Sequence, residues 1–237
     1  MDAIDCVQSR VRLAGSADAS ATAKLGDDDM TDTWTLVDGA RTDLGDYLET
    51  LTLDQWDAPT LCEGWTVRDV VGHVVEGSLP VKKLPIFLAM ARNGFDINRA
   101  LFKMAIKYGQ RPPEDLMKGV RETVGMRTTG GPSTVEDMLA DWVVHTQDIR
   151  RVLGPPGTVP AESVLVLLDR MKDTGKIMGN KERIEGLKLV TTDMEWTHGD
   201  GPEVRGLGEA VLMGMCGRKS VLDELTGDGV AVLRSRN

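Results

Sequence analysis

The stretch VEDMLADWVVHTQDIRRVLG, residues 135–154, decides how the chain folds. Val135, Met138, Leu139, Trp142, Thr146, Ile149 and Leu153 recur at the three- and four-residue spacing of a helix with one buried stripe. Ser133 and Glu136 fit a capping box at its start, and Gly154 followed by two prolines ends it. At about 100° per residue, Asp141 and His145 fall about 40° apart on the helical wheel, with Asp148 on the same side. They sit at one edge of the stripe, where a side chain faces a cleft between helices.

Working outward, an earlier helix has the same character. Thr66 caps it with Asp69 three positions on, and Val67, Val70, Val71 and Val74 form its inner face. Valines oppose helix propensity, so tertiary burial has to override it, as in a central bundle helix. His73 lies at the edge of that face. The chain has only three histidines, and two of them lie on these two helices.

Further helices are expected over residues 33–50, over one or two segments between 80 and 110 broken near Asn93-Gly94, over 113–126 and over 160–177. Beyond Gly179-Asn180 the pattern changes. Val190, Thr192, Met194 and Trp196 alternate with polar residues as a strand does, and His198-Gly199-Asp200-Gly201 is a turn signal. Glu203-Val204-Arg205 reads as the returning strand of a hairpin. A short helix over 207–216 follows, then a last strand over 230–233. The division is a disordered tail (1–30), a helical bundle (31–180) and a small α+β domain (181–237), so the fold class is mainly α.

Composition excludes several classes. A chain of 237 residues, 41% hydrophobic and 27% charged, has core enough to fold without staples. The net charge of −9 argues against an electrostatic nucleic-acid binder. No apolar run reaches the ~18–20 residues of a membrane span. The first residues lack the apolar segment of a signal peptide. Three widely spaced cysteines, Cys6, Cys62 and Cys216, with no CxxC, argue against a disulfide framework and suit a reducing, cytoplasmic setting.

Imidazole nitrogen and carboxylate oxygen are ordinary ligands of Zn²⁺ and other divalent first-row ions. His73 on one helix, with Asp141 and His145 on another, would converge across a bundle interface. Asp148 would then orient His145 as an outer acceptor. A histidine at the edge of an apolar face also serves as an ordinary core residue, and the spacing leaves both readings open. His198, between a strand and glycines, reads as an exposed loop residue. Trp65, Trp142 and Cys216 read as core, and Cys62 as a buried structural residue.

Residues 53–73, LDQWDAPTLCEGWTVRDVVGH, resemble the N-terminal signature of the mycothiol-dependent maleylpyruvate isomerase family. Residues 141–154 are similar to that family's second metal-binding helix. Residues 189–233, centred on Gly201-Pro202-Glu203-Val204-Arg205-Gly206, are similar to its C-terminal domain. The resemblance implies a DinB-like four-helix bundle followed by a small α+β C-terminal domain. It also implies a divalent metal, usually zinc, at the positions matching His73, Asp141 and His145. The family's isomerase carries glutamate at the middle position, where this chain has Asp141, one methylene shorter.

The cosubstrate implied is mycothiol. Addition of the activated thiolate to an electrophilic carbon, then rotation and elimination, gives an isomerase; addition alone gives a thiol transferase. Arg205 and Arg218 are the candidate clamps for a substrate carboxylate. The rival reading is a non-catalytic module with a weak or empty metal site that binds a small molecule or a partner protein.

Overall fold

The computed structural model describes residues 27–80, 94, 97–129, 133–174 and 180–237. Expectations for the tail before residue 27, for the apolar segment at 84–90 and for a break at Asn93 lie outside them. Among the described residues the bundle comprises α1 (Asp27–Leu48), α2 (Val67–Ser78), α3 (Ile97–Gly109), α4 (Pro113–Thr123) and α5 (Val135–Leu153). A 3-10 turn, Leu53–Asp57, lies between α1 and α2. Helix α1 starts six residues before Thr33.

Helix α2 begins as expected. Thr66 and Asp69 form the capping box, with the Asp69 carboxylate accepting from the Thr66 amide at 3.0 Å and its hydroxyl at 2.6 Å. Its four inner valines are fully buried. Burying each contributes about 1.5–3 kcal/mol, against a propensity penalty of roughly 0.7 kcal/mol or less, so packing wins. Gly72 makes the closest packing possible. A Cβ there would lie 2.7 Å from Ala105 O and from Gly109 N, so the α2 and α3 backbones touch.

Helix α5 differs from its reading in two ways. Its capping box is Thr134 with Asp137, one residue beyond Ser133 and Glu136. Both pairs have the right spacing, and the backbone selects the later one. Nor does α5 have a single buried stripe, since every residue from Met138 to Ile149 is buried. It packs against α1 and α2 on the bundle side and α6 (Ala161–Met171) on another. Five of its buried residues, Asp141, His145, Thr146, Gln147 and Asp148, are polar, and each needs a partner in the fold.

After a short helix α7 (Asn180–Ile184) come β1 (Lys188–Thr191), β2 (Thr197–His198) and β3 (Glu203–Gly206). Helix α8 (Gly208–Met215), a 3-10 turn (Lys219–Glu224) and α9 (Gly229–Arg236) complete the chain. The sheet order is β2-β1-β3, with β1 antiparallel to β2 and parallel to β3. Two expectations are corrected here. The alternation at 190–196 is not one strand, because the Thr191 hydroxyl donates to Met194 O at 2.7 Å and turns the chain. Residues 203–205 do not return beside 190–196 as a hairpin either. The chain crosses the start of β1 at Gly199 and Gly201, whose positive φ and close approach to Leu187 O and Gly186 O exclude a side chain.

The last expected strand, 230–233, lies within α9. Gly229 and Leu233 are buried four residues apart while Ala231 is exposed, which is helical spacing. One apolar cluster runs unbroken from Val37 in α1 to Leu233 in α9. The fold is thus mainly helical with a small α+β C-terminal part, as read. Among the described residues no helix is long and apolar enough to cross a membrane.

Candidate metal centre

The loop before α2 is strapped into place by its own hydrogen bonds. Thr60 N donates to Trp65 O at 3.0 Å and Trp65 N to Cys62 O at 3.0 Å, with Gly64 at φ 79° between them. Leu61 N donates to the Asp148 carbonyl at 3.2 Å, tying this loop to α5. The result sets Cys62 and Trp65 against the buried polar face of α5.

His73, Asp141 and His145 are 4%, 8% and 3% exposed, and Asp148 is fully buried. One ligand atom from each of His73, Asp141 and His145 lies within 4.8 Å of the other two. The imidazoles of His73 and His145 meet edge to face, centroids 5.0 Å apart at 86°. Trp65 lies 5.0 Å from the His73 ring and 6.2 Å from the His145 ring, and Phe102 of α3 lies 5.7 Å from Trp65. These aromatic rings form an apolar wall. The Trp65 Nε1–H is buried with no acceptor among the described residues, which leaves it a donor beside the imidazoles.

Asp148 is the hub of the polar network. Its Oδ2 lies 2.9 Å from His145 Nδ1 and 2.6 Å from Arg218 Nη2, and its Oδ1 accepts from Arg218 Nε at 2.9 Å. Burial works against the carboxylate charge, but Arg218, with help from His145, holds its pKa down to about 2. A carboxylate that stays ionised only accepts, so His145 Nδ1 carries the proton and donates it. The remaining nitrogen, Nε2, is left free of that bond. The Arg218 guanidinium, whose charge the same carboxylate stabilises, also donates to Cys216 O at 2.7 Å.

A second cluster of donor groups comprises Cys62, His145 and Asp148. The Cys62 sulfur lies 3.1 Å from Asp148 Oδ2 and 3.6 Å from His145 Nδ1. Cys62 is disulfide-bonded, however, where the cysteine spacing argues against a disulfide framework. With its sulfur oxidised and Asp148 committed to Arg218, this cluster is the poorer home for a cation. Cys216 is a free buried thiol, and burial pushes it up to about 11.

The structure thus brings together His73, Asp141, His145, Asp148 and Arg218. It leaves out Arg205, which is half exposed on β3 and pairs with Glu203 at 2.7 Å. His198 lies on β2 near Trp196, with ring centroids 6.1 Å apart. Sequence reasoning missed the pairing of Arg218 with Asp148 across 70 residues, for which no local signal exists. It also missed Arg151, which forks between Glu209 and Glu224 and so ties α5 a second time to the C-terminal part.

The profile described as mycothiol maleylpyruvate isomerase N-terminal domain matches residues 37–87. That span contains residues 53–73, the first of the three segments that carry the resemblance, and the resemblance is borne out. Two crystal structures share the fold: a mycothiol-dependent maleylpyruvate isomerase and a histidine-to-alanine mutant of it. Each has a TM-score of 0.60 and covers 84% of this chain and 92% of its own, at 16% and 15% identity respectively. At such identity the likeness shows the fold alone. No curated protein matches the chain in sequence.

Proposed function

We propose that this chain, whose residues 37–87 match the mycothiol maleylpyruvate isomerase N-terminal domain, is a metal-dependent enzyme using a low-molecular-weight thiol. In this reading mycothiol is the thiol, and the reaction isomerises a small electrophilic metabolite or transfers the thiol to it. The observation that carries the reading is the convergence of His73, Asp141 and His145 from two helices in a buried site. Two imidazoles and a carboxylate suit Zn²⁺, and a three-ligand set leaves positions open for a reacting group.

When bound there, the cation supplies a Lewis acid that lowers the pKa of a coordinated thiol. The protein's own residues do the rest. Asp148 holds the Nδ1 proton of His145 and fixes the ring so that Nε2 is the ligand nitrogen. Arg218 keeps Asp148 ionised, which makes it a positioning residue in this account. Trp65 and Phe102 keep bulk water from the imidazoles.

The test is metal content by elemental mass spectrometry on untagged protein, purified without chelator, followed by a screen of electrophiles with mycothiol. Near-stoichiometric metal in the wild type, lost in His73→Ala and His145→Ala, together with thiol-dependent turnover, is expected. Metal-free wild type, or metal unchanged in both variants, overturns the catalytic reading and leaves the binding module.

A further inference from the structure

Arg218 reaches Asp148 from just beyond the end of α8, and its own segment fixes where it stands. Its Nη1 donates to Cys216 O at 2.7 Å, two residues back. The backbone there closes α8, with Arg218 N donating to Met213 O at 3.0 Å and Gly217 at φ 86°. The 3-10 turn Lys219–Glu224 begins at the next residue. The guanidinium is therefore carried by residues 208–224. Whatever seats that segment on α5 also sets the grip on Asp148.

Arg151 does the seating. It lies three residues after Asp148, on the same side of α5. Its side chain is only 8% exposed and binds both ends of the segment that carries Arg218. Nε donates to Glu209 Oε1 at 3.0 Å and Nη2 to Glu209 Oε2, in the first turn of α8. Nη1 donates to Glu224 Oε1 at 2.6 Å and Nη2 to Oε2 at 3.2 Å, at the end of the 3-10 turn. Two carboxylates gripped by one planar guanidinium fix direction as well as distance, which a flexible ammonium cannot do.

From this geometry we infer that Arg151 is a positioning residue for the candidate metal centre, although its own bonds go to Glu209 and Glu224. Through them it seats residues 208–224 on α5. Arg218, between the two glutamates, then holds Asp148, and Asp148 holds the Nδ1–H of His145. The consequence for metal rests on the reading proposed above. The hold on the His145 proton does not, and it can be measured without metal.

The test uses the full-length chain in chelator, with isotope-labelled histidine, and follows exchange of the His145 Nδ1–H with water by NMR. The signal is assigned by its loss in His145→Ala. Arg151→Lys keeps the charge but loses the fork, so the change it makes is one of geometry. Exchange is expected to be about 10-fold faster in that variant, the factor that a charge-assisted bond contributes. Glu209→Gln should act in the same direction, and it decides the matter if Arg151→Lys fails to fold. In an Arg218→Met background Arg151→Lys should add nothing, because the link it acts through is gone. Leu116→Ala, at a fully buried position of α4, should lower stability in urea yet leave the exchange rate where it was. A zinc competition titration alongside should show affinity about 10-fold weaker in Arg151→Lys. Wild type that binds no zinc would sink the metal reading alone and leave the proton measurement to decide this one. No protected His145 proton in the wild type, an unchanged rate in Arg151→Lys, the same rise in Leu116→Ala, or a full effect in the Arg218→Met background would each overturn the proposal.

Discussion

Replacing Arg218 by methionine tests the polar network at its root. Asp148 is fully buried, and Arg218 gives it two of its bonds, at 2.6 and 2.9 Å. Removing one partner of a buried pair strands the other charge, at a cost of about 3–5 kcal/mol. The pH dependence gives an independent magnitude. In the wild type the Asp148 carboxyl is held near 2 against an ordinary 3.8, so its ionised form contributes roughly 2 kcal/mol to stability. A depressed carboxyl pKa stabilises above the unfolded value, and the benefit is lost as pH falls from about 4 to about 2. In Arg218→Met burial acts unopposed by the guanidinium and raises that pKa. The cost of the substitution should therefore be largest at pH 7 and shrink as the pH approaches 4. The assay is urea unfolding followed by tryptophan fluorescence, in chelator so that bound metal plays no part. Asp148→Asn in the same background should return much of the loss, because no charge is then stranded. A cost below about 1 kcal/mol, or the same cost with and without Asp148, would refute the reasoning.

The two helical glycines Gly72 and Gly39 should respond oppositely to alanine. Gly72→Ala forces a Cβ to within 2.7 Å of α3 backbone and should lower stability by about 1–3 kcal/mol. Gly39→Ala meets open space and should raise it by roughly 0.5–1 kcal/mol, both read as shifts in the urea midpoint. If metal is bound at His73, Asp141 and His145, Asp148→Asn should weaken it by about 10- to 100-fold in a competition titration, without touching a ligand. Leu139, fully buried, should cost about 2–5 kcal/mol on truncation to alanine in the same unfolding assay. Cys216, buried with its thiol pushed up to about 11, should stay unmodified by a thiol reagent at pH 8, as peptide mass mapping can establish, and react once urea unfolds the chain.

The fold and part of the candidate centre were legible from local patterns, for physical reasons that particular residues show. Thr66, Asp69 and the valine stripe specify α2 because capping and helical periodicity act within a few residues. His73 could be placed on one helix, and Asp141, His145 and Asp148 on one face of another, by counting. Misreadings arose where two local solutions were equally good. Ser133 with Glu136 and Thr134 with Asp137 have the same spacing, and α9 has strand-like residues at Val230 and Val232. In α9 the burial of Gly229 and Leu233 against the rest of the molecule decided for the helix.

By itself, then, the sequence determined most of the bundle helices and which residue types a metal would find on α2 and α5, because both follow from interactions a few residues long. Tertiary structure alone decided that α5 is buried all round, and that Arg218 reaches back 70 residues to hold Asp148. It also decided that Gly199 and Gly201 carry the chain across β1. Those outcomes rest on burial and close contact between distant segments. Such terms depend on where the helices pack, which no local pattern encodes.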